Sequence, residues 1–166
     1  EFGDINIVGK SFGVCKLQYA GFDLDFSLPR NDNKTGLGHR GFEVEVNPTL
    51  DFKTAASRRD FTINTGMINV LTGLEIWPIH YAKMDMDSKT LKPTSYAFME
   101  DPLRVLRGMQ FISRFGLSAH HSAINMSYRI KDQFGSLSTE RVWNEWWKWA
   151  KGEDAARGLI FLQNCG

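Results

Sequence analysis

Cysteine is almost absent from this chain. The two that occur, Cys15 and Cys165, have no metal-ligand spacing. That excludes a disulfide framework and makes a reducing cytoplasm the expected setting. An excess of one charge is also missing: 20 Lys and Arg against 19 Asp and Glu leave a net +1. Overall charge therefore does not announce a nucleic-acid binder, and any basic surface must be local. No apolar run approaches the length of a membrane span, and the N-terminus has no signal-type pattern, so no membrane partner is expected. Repeats and low-complexity tracts are missing too. The four histidines form no ligand set, His120 and His121 being merely adjacent. What remains is a core-forming composition, 42% hydrophobic and 23% charged over 166 residues, enough for one domain or two small ones. The chain opens on Glu1 rather than Met, and strand-like sequence begins almost at once. A piece of something longer is the expectation.

Near the start stands Gly9-Lys10-Ser11, which invites comparison with a phosphate-binding P-loop. That loop needs Gly-x-x-x-x-Gly-Lys-Ser/Thr and then a helix. The position for its first glycine holds Asp4, and Gly3 comes one residue too early. After Gly13, "VCKLQYA" alternates like a strand. The stretch reads as a turn leading into a strand.

The periodicity changes along the chain. "INIV", "VCKLQYA", "FDLDFSL" and "FEVEV" are short strands by alternation, with "PRNDNKTGLGHRG" as a loop between the last two. From Asn47 the pattern turns helical, with one or two short helices, then a Thr-Gly turn and a short extended piece in "LTGLEIWPI". "HYAKMDMDSKTLKPTS" is polar and poorly patterned. Three clearer helices follow. One starts at an Asp101 cap with Pro102 at the first helical position and stops at Gly116. A second covers roughly 122–133, and a third runs from Ser138 to Gly152. The layout is α/β first and all-helical afterwards.

Several clusters could carry chemistry. On the helix after Asp101, at ~100° per residue, Arg104, Arg107, Phe111 and Arg114 share one arc. Leu103, Val105, Leu106, Met109 and Ile112 share the other. A solvated cationic face is the plain alternative. Against it, arginine is used every time and lysine never, which suits bidentate recognition of phosphates, carboxylates or base edges. Glu100 and Asp101 adjoin Arg104, so a carboxylate and a guanidinium could read a base edge together. In "RRDFTIN", Asp60 and Asn64 are four apart and could hold a ribose hydroxyl while an arginine meets phosphate; an ordinary salt-bridged turn explains them as well. Asp23 and Asp25 lie on one strand face, as a Mg²⁺ pair would, or as solubilising charges on an edge. The tryptophans of "VWNEWWKWA" suggest base stacking, but Val142, Trp143, Trp146 and Ala150 follow core spacing, and core packing is the reading taken.

These blocks, in this order, resemble the class II tRNA nucleotidyltransferases and bacterial poly(A) polymerases, the CCA-adding enzyme family. The resemblance rests on "VGKSFGV", "FDLDFSLPR", "SRRDFTIN", "TSYAFMEDPLRVLRGMQFISRFGL" and "LSTERVWNEWWKWA". It implies an α/β (α+β) fold: a partial nucleotidyltransferase-type mixed sheet with helices over residues 1–98, then an all-helical neck over 99–166. It also implies Mg²⁺-dependent addition of CMP and AMP to the 3′ end of tRNA or another RNA, without a nucleic-acid template, from CTP and ATP. Poly(A) synthesis or a non-catalytic RNA-binding remnant are the alternatives. By resemblance, Arg59, Asp60 and Asn64 contact triphosphate and ribose. Asp101 and Arg104 pair with the base edge, and Arg107 also touches the nucleotide.

The sequence departs from the family in three places. The family's Gly-Gly-x-x-Arg-Asp loop and Asp-x-Asp strand precede the "GKSFG" segment, so the metal-binding pair is expected upstream of Glu1. Asp23-Leu24-Asp25 is not that pair; by register with "LPR", Asp25 matches a third acidic residue on the neighbouring strand. Finally, "WPIHYAKMD" replaces a Gly-Gly hinge, with Asp85 retained. The chain by itself is therefore expected to bind nucleotide weakly and not to catalyse.

Overall fold

In the computed structural model the backbone is described for residues 5–6, 14–34 and 42–166, and side chains for 15–29 and 47–166. Most of "VGKSFGV", including the turn expected at Gly9 and Gly13, lies outside the described residues. The chain forms two compact units, Glu1–Asp51 and Phe52–Gly166.

The first unit is antiparallel. Strands β1 (Ile5–Asn6), β2 (Val14–Tyr19) and β3 (Phe22–Ser27) pair in that order. Ala20 and Gly21, both at positive φ (50° and 81°), close the β2–β3 hairpin. Two left-handed residues match the twist of the flanking strands. The register sets Lys16 opposite Asp25 and Gln18 opposite Asp23, which places both carboxylates on one face, as alternation requires. The expected loop after Leu28 is only partly a loop. Strand β4 (Arg30–Lys34) pairs with β5 (Phe42–Val46). Its polar composition hides it, but the backbone groups of "FEVEV" need a ladder partner whatever the side chains are.

The second unit begins with α1 (Phe52–Ser57) and a 3-10 turn at Thr62–Asn64. A small hairpin follows, β6 (Met67–Ile68) with β7 (Glu75–Ile76). Asn69 Oδ1 accepts the Leu71 and Thr72 N–H groups, and Gly73 at φ 71° closes the loop. The segment read as unpatterned contains α2 (Ala82–Asp87). It is short, and its apolar contact is small: Ala82 meets Ala56 and Ile79, with Trp77 and Tyr81 around them. Strand β8 (Thr90–Leu91) pairs in parallel with β9 (Ser118–Ala119), so it brackets α3 (Leu103–Phe115).

Helix α3 is the hub. Leu103, Val105, Leu106, Met109 and Ile112 are all buried, as their shared arc predicts, each contributing about 1.5–3 kcal/mol. Asp101 Oδ1 accepts the Leu103 N–H, and Gly116 at φ 63° ends the helix with its N–H on Ile112. The seam expected at residue 98 falls inside this unit. Phe98 is wholly buried and packs 5.5 Å from Phe61 in the core that α3 covers.

Helix α4 (His121–Arg129) ends sooner than expected and passes into a 3-10 stretch at Lys131–Ser136. Helix α5 (Thr139–Ala150) packs on α3 through Val142, Trp146 and Trp149. The core reading fails for Trp143, which is 64% exposed, and for Ala150, which is exposed as well; Trp147 is also exposed, at 53%. A tryptophan-rich helix 12 residues long has more indole than one packing face can hold. Helix α6 (Ala155–Asn164), which periodicity did not reveal, buries Phe161 against α3. Gly158 lets its backbone approach: a Cβ there would stand 2.8 Å from the Met109 carbonyl oxygen.

Candidate functional site

A cleft of about 500 Å³ opens at the N-terminal end of α3, lined by Arg59, Asp60, Asn64, Asp101, Leu103, Arg104, Arg107, Phe111 and Arg141. Two segments some forty residues apart supply the residues that the sequence singled out, and all six of Arg59, Asp60, Asn64, Asp101, Arg104 and Arg107 line it. Four arginines against two carboxylates make the walls cationic.

Asp60 organises one wall. It is nearly buried, at 7% exposure, and all its donors are positioned. Oδ1 accepts the Phe61 N–H at 2.8 Å and the Asn64 side-chain amide at 2.9 Å; Oδ2 accepts Arg107 Nε at 2.7 Å. The Arg59 guanidinium donates to the Asn64 carbonyl. Arg107 also lies 5.3 Å from the centre of the Phe111 ring, a cation–π contact that orients its plane. Behind this wall, Thr62 Oγ1 donates to the buried Asp85 carboxylate at 2.8 Å, which ties α2 to the 3-10 turn.

Asp101 and Arg104 form the other wall, each held by a separate partner. Arg104 donates to the Ala97 carbonyl at 2.5 Å and the Arg58 carbonyl at 2.9 Å. Burial lowers its pKa below the ordinary guanidinium value, and the nearby Asp60, Asp101 and Glu100 charges oppose that shift. Asp101 Oδ2 accepts Arg141 Nη2 at 2.6 Å while Oδ1 serves the Leu103 N–H. A planar donor group and a planar acceptor group thus line the same cleft, each held by partners of its own. That arrangement presents a complementary edge to a planar ligand bearing both donors and acceptors.

The arginine face of α3 is less uniform than its spacing suggests. Arg114 donates to Gln110 Oε1 at 3.0 Å and rests on Phe115, and it is not among the residues lining the cleft. The residue that sequence reasoning missed is Arg141. The signal was available in "LSTER", where an arginine in the first turn of a helix follows a Ser cap. Its Nη1 is buried with no partner among the described residues, a donor with unused capacity.

Asp25 stands in the first unit, exposed, with its Oδ1 4.0 Å from Lys16 Nζ. Asp23 accepts from the Gln18 amide at 2.9 Å. Among the described residues no three His, Cys, Asp or Glu side chains gather to hold a metal. By itself a single carboxylate beside a lysine does not supply the octahedral oxygen ligation that Mg²⁺ demands.

The fold is of nucleotidyltransferase type. The structure superimposes on the Bacillus stearothermophilus CCA-adding enzyme in complex with CTP with a TM-score of 0.81 at 22% identity, covering 97% of this chain and 38% of that one. The Thermotoga maritima CCA-adding enzyme complexed with tRNA gives 0.74 at 19% identity, over 98% and 36%. In sequence, the Multifunctional CCA protein of Xanthomonas euvesicatoria pv. vesicatoria is 35% identical over 143 residues, 83% of this chain and 34% of that protein. Its counterpart in Stenotrophomonas maltophilia is 33% identical over the same shares. No family model matches the chain. The chain belongs to the CCA-adding enzyme family and spans about a third of the length of these relatives. None of its described helices is long and apolar enough to cross a membrane.

Proposed function

We propose that the cleft binds CTP and ATP, and that the chain is the nucleotide-selecting part of a tRNA nucleotidyltransferase that extends tRNA 3′ ends by CMP and AMP, working in the cytoplasm. The observation that carries this reading is the separate anchoring of Asp101 and Arg104 in one cationic cleft. The carboxylate accepts from an exocyclic amine, and the guanidinium donates to ring acceptors beside it. Cytosine and adenine both carry an amine next to a ring-nitrogen acceptor, whereas uracil and guanine present a carbonyl and an N–H there. On this reading Arg59, Arg107, Asp60 and Asn64, which line the same cleft, take the phosphates and the ribose. Division of labour into a head over 1–98 and a neck over 99–166 belongs to this proposal. So does Mg²⁺, with Asp25 as the one acidic residue suggested here for the metal's vicinity. The part that the described residues take in this reading is to hold the nucleotide.

Titration of the chain with CTP, ATP, UTP and GTP tests this. CTP and ATP should bind, UTP and GTP at least tenfold more weakly, since a mismatched buried polar edge leaves groups unpaired. Asp101→Asn should erase the preference. Equal binding of all four, or none of any, sinks the reading. Labelled CTP should not be incorporated into tRNA by this chain alone.

A further inference from the structure

The cleft leaves one aromatic feature unused. Trp143 and Trp147 are 64% and 53% exposed, and their rings lie nearly parallel, at 28°, with centroids 6.5 Å apart. Lys151 completes the stripe, its Nζ 4.7 Å from the Trp147 ring centre. At ~3.6 residues per turn, positions 143, 147 and 151 form one row on the side of α5 away from the Val142, Trp146 and Trp149 packing face. Exposed Asn144 adjoins the row.

From this geometry we infer a second nucleic-acid contact: a stacking platform for unpaired bases of single-stranded RNA. It rests on the reading of the cleft as the place where an RNA 3′ end receives nucleotides. Three observations select RNA over an apolar partner. The indole faces, rather than aliphatic groups, make the surface, and every base offers a π-face to them. The two indole planes are nearly parallel, 28° apart, with centroids 6.5 Å apart along the row, so they form one continuous aromatic surface on which bases can stack. A lysine caps the row, where a phosphate would pass. The row also starts at Trp143, two residues beyond Arg141, which lines the cleft. A strand whose end lies in the cleft therefore reaches the platform by passing around one helix.

The test is binding of oligoadenylate, and of tRNA lacking its terminal CCA, to the chain and its variants, followed by tryptophan quenching. Trp143→Ala and Trp147→Ala should each weaken oligoadenylate binding about tenfold, with thermal melting and CTP affinity unchanged, the magnitude expected for one lost stacking face. Trp147→Phe should retain most of the binding and Trp147→Leu little of it. Lys151→Gln should flatten the salt dependence. Unchanged RNA binding in the double alanine variant overturns the inference. So does full rescue by leucine, or concentration-dependent self-association that the double variant abolishes; these mark the face as a protein contact. Failure of CTP to bind while oligoadenylate still quenches the indoles would sink the cleft reading and leave the platform standing.

Discussion

Arg107 on α3 donates through Nε to Asp60 Oδ2 at 2.7 Å, across 47 positions of sequence. This bond joins the segment before the 3-10 turn to the hub helix, and it holds the Asp60 wall of the cleft in place. Asp60 is far less exposed than Arg107, 8% against 33% for the side chains, so the carboxylate depends on its donors more than the guanidinium depends on it. Asp60→Ala should destabilise the chain by about 3 kcal/mol, the low end for a broken buried pair, and abolish CTP binding. Asp60→Asn should cost nearly as much. An amide cannot accept from Phe61, Asn64 and Arg107 at once without turning a donor towards one of them. Urea midpoints for the two variants, with CTP titration alongside, decide the matter.

Close packing of α6 on α3 gives a second expectation. A Cβ on Gly158 would meet the Met109 carbonyl oxygen at 2.8 Å and the Trp149 ring at 2.9 Å. The carbonyl belongs to a helix backbone and cannot move aside cheaply. Gly158→Ala should lower stability by about 1–3 kcal/mol. Gly135→Ala is the control, because nothing lies within 4 Å of a Cβ there, and it should stay within about 0.5 kcal/mol of the parent. Equal melting temperatures for the two variants would contradict the packing described.

These two relationships mark what a sequence can and cannot disclose. The arc of Leu103, Val105, Leu106, Met109 and Ile112 was legible, because burial follows the helical period. The motifs holding Asp60, Asn64, Asp101 and Arg104, which resemble those of a known family, were also visible, and the structure brings these residues to one cleft. Arg114 was misplaced because spacing gives a face but not its extent: the cleft ends near Phe111. Trp143 was misplaced because an indole at core spacing and one a turn away look alike until a partner helix is present. Helix α6 and strand β4 escaped for a related reason. Each depends on a partner, Phe161 on α3 and the β4 backbone on β5, that local pattern does not name.

Helix α4 carries a proton-sensitive cap. His120 Nδ1 accepts the Ser122 N–H at 3.2 Å and lies 2.8 Å from Ser122 Oγ, a role open only to the neutral ring. Burial, then the neighbouring His121 and Lys92 charges, push its pKa below the ordinary 6.5. The folded state therefore binds a proton less readily than the unfolded state. The cap's contribution is complete above 6.5 and is lost as pH falls towards the lower folded-state value. Stability should fall as pH drops below 6.5, by less than a whole helix cap contributes, because solvent screens the ring. His120→Asn should keep the cap and lose that portion of the pH dependence. If the asparagine variant shows the same slope, the sensitivity belongs to other groups.

Arg141 should matter to nucleotide choice only through Asp101. The pair is closed at 2.6 Å with both side chains about a quarter exposed, and it joins the first turn of α5 to Asp101, two residues before the start of α3. Without the guanidinium, Asp101 keeps the Leu103 N–H on Oδ1 but is free to turn Oδ2 away from a bound base. Arg141→Gln should weaken CTP and ATP about tenfold and narrow their advantage over UTP. Arg141→Lys should recover part of the affinity, since it restores charge but not the planar fork. A double-mutant cycle with Asp101→Asn separates positioning from direct contact. If Arg141 acts through Asp101, its loss in the Asp101→Asn background should change CTP affinity hardly at all; two independent contacts would instead give additive losses. Additivity would mean that the buried Nη1, and not the bond to Asp101, is what the nucleotide uses.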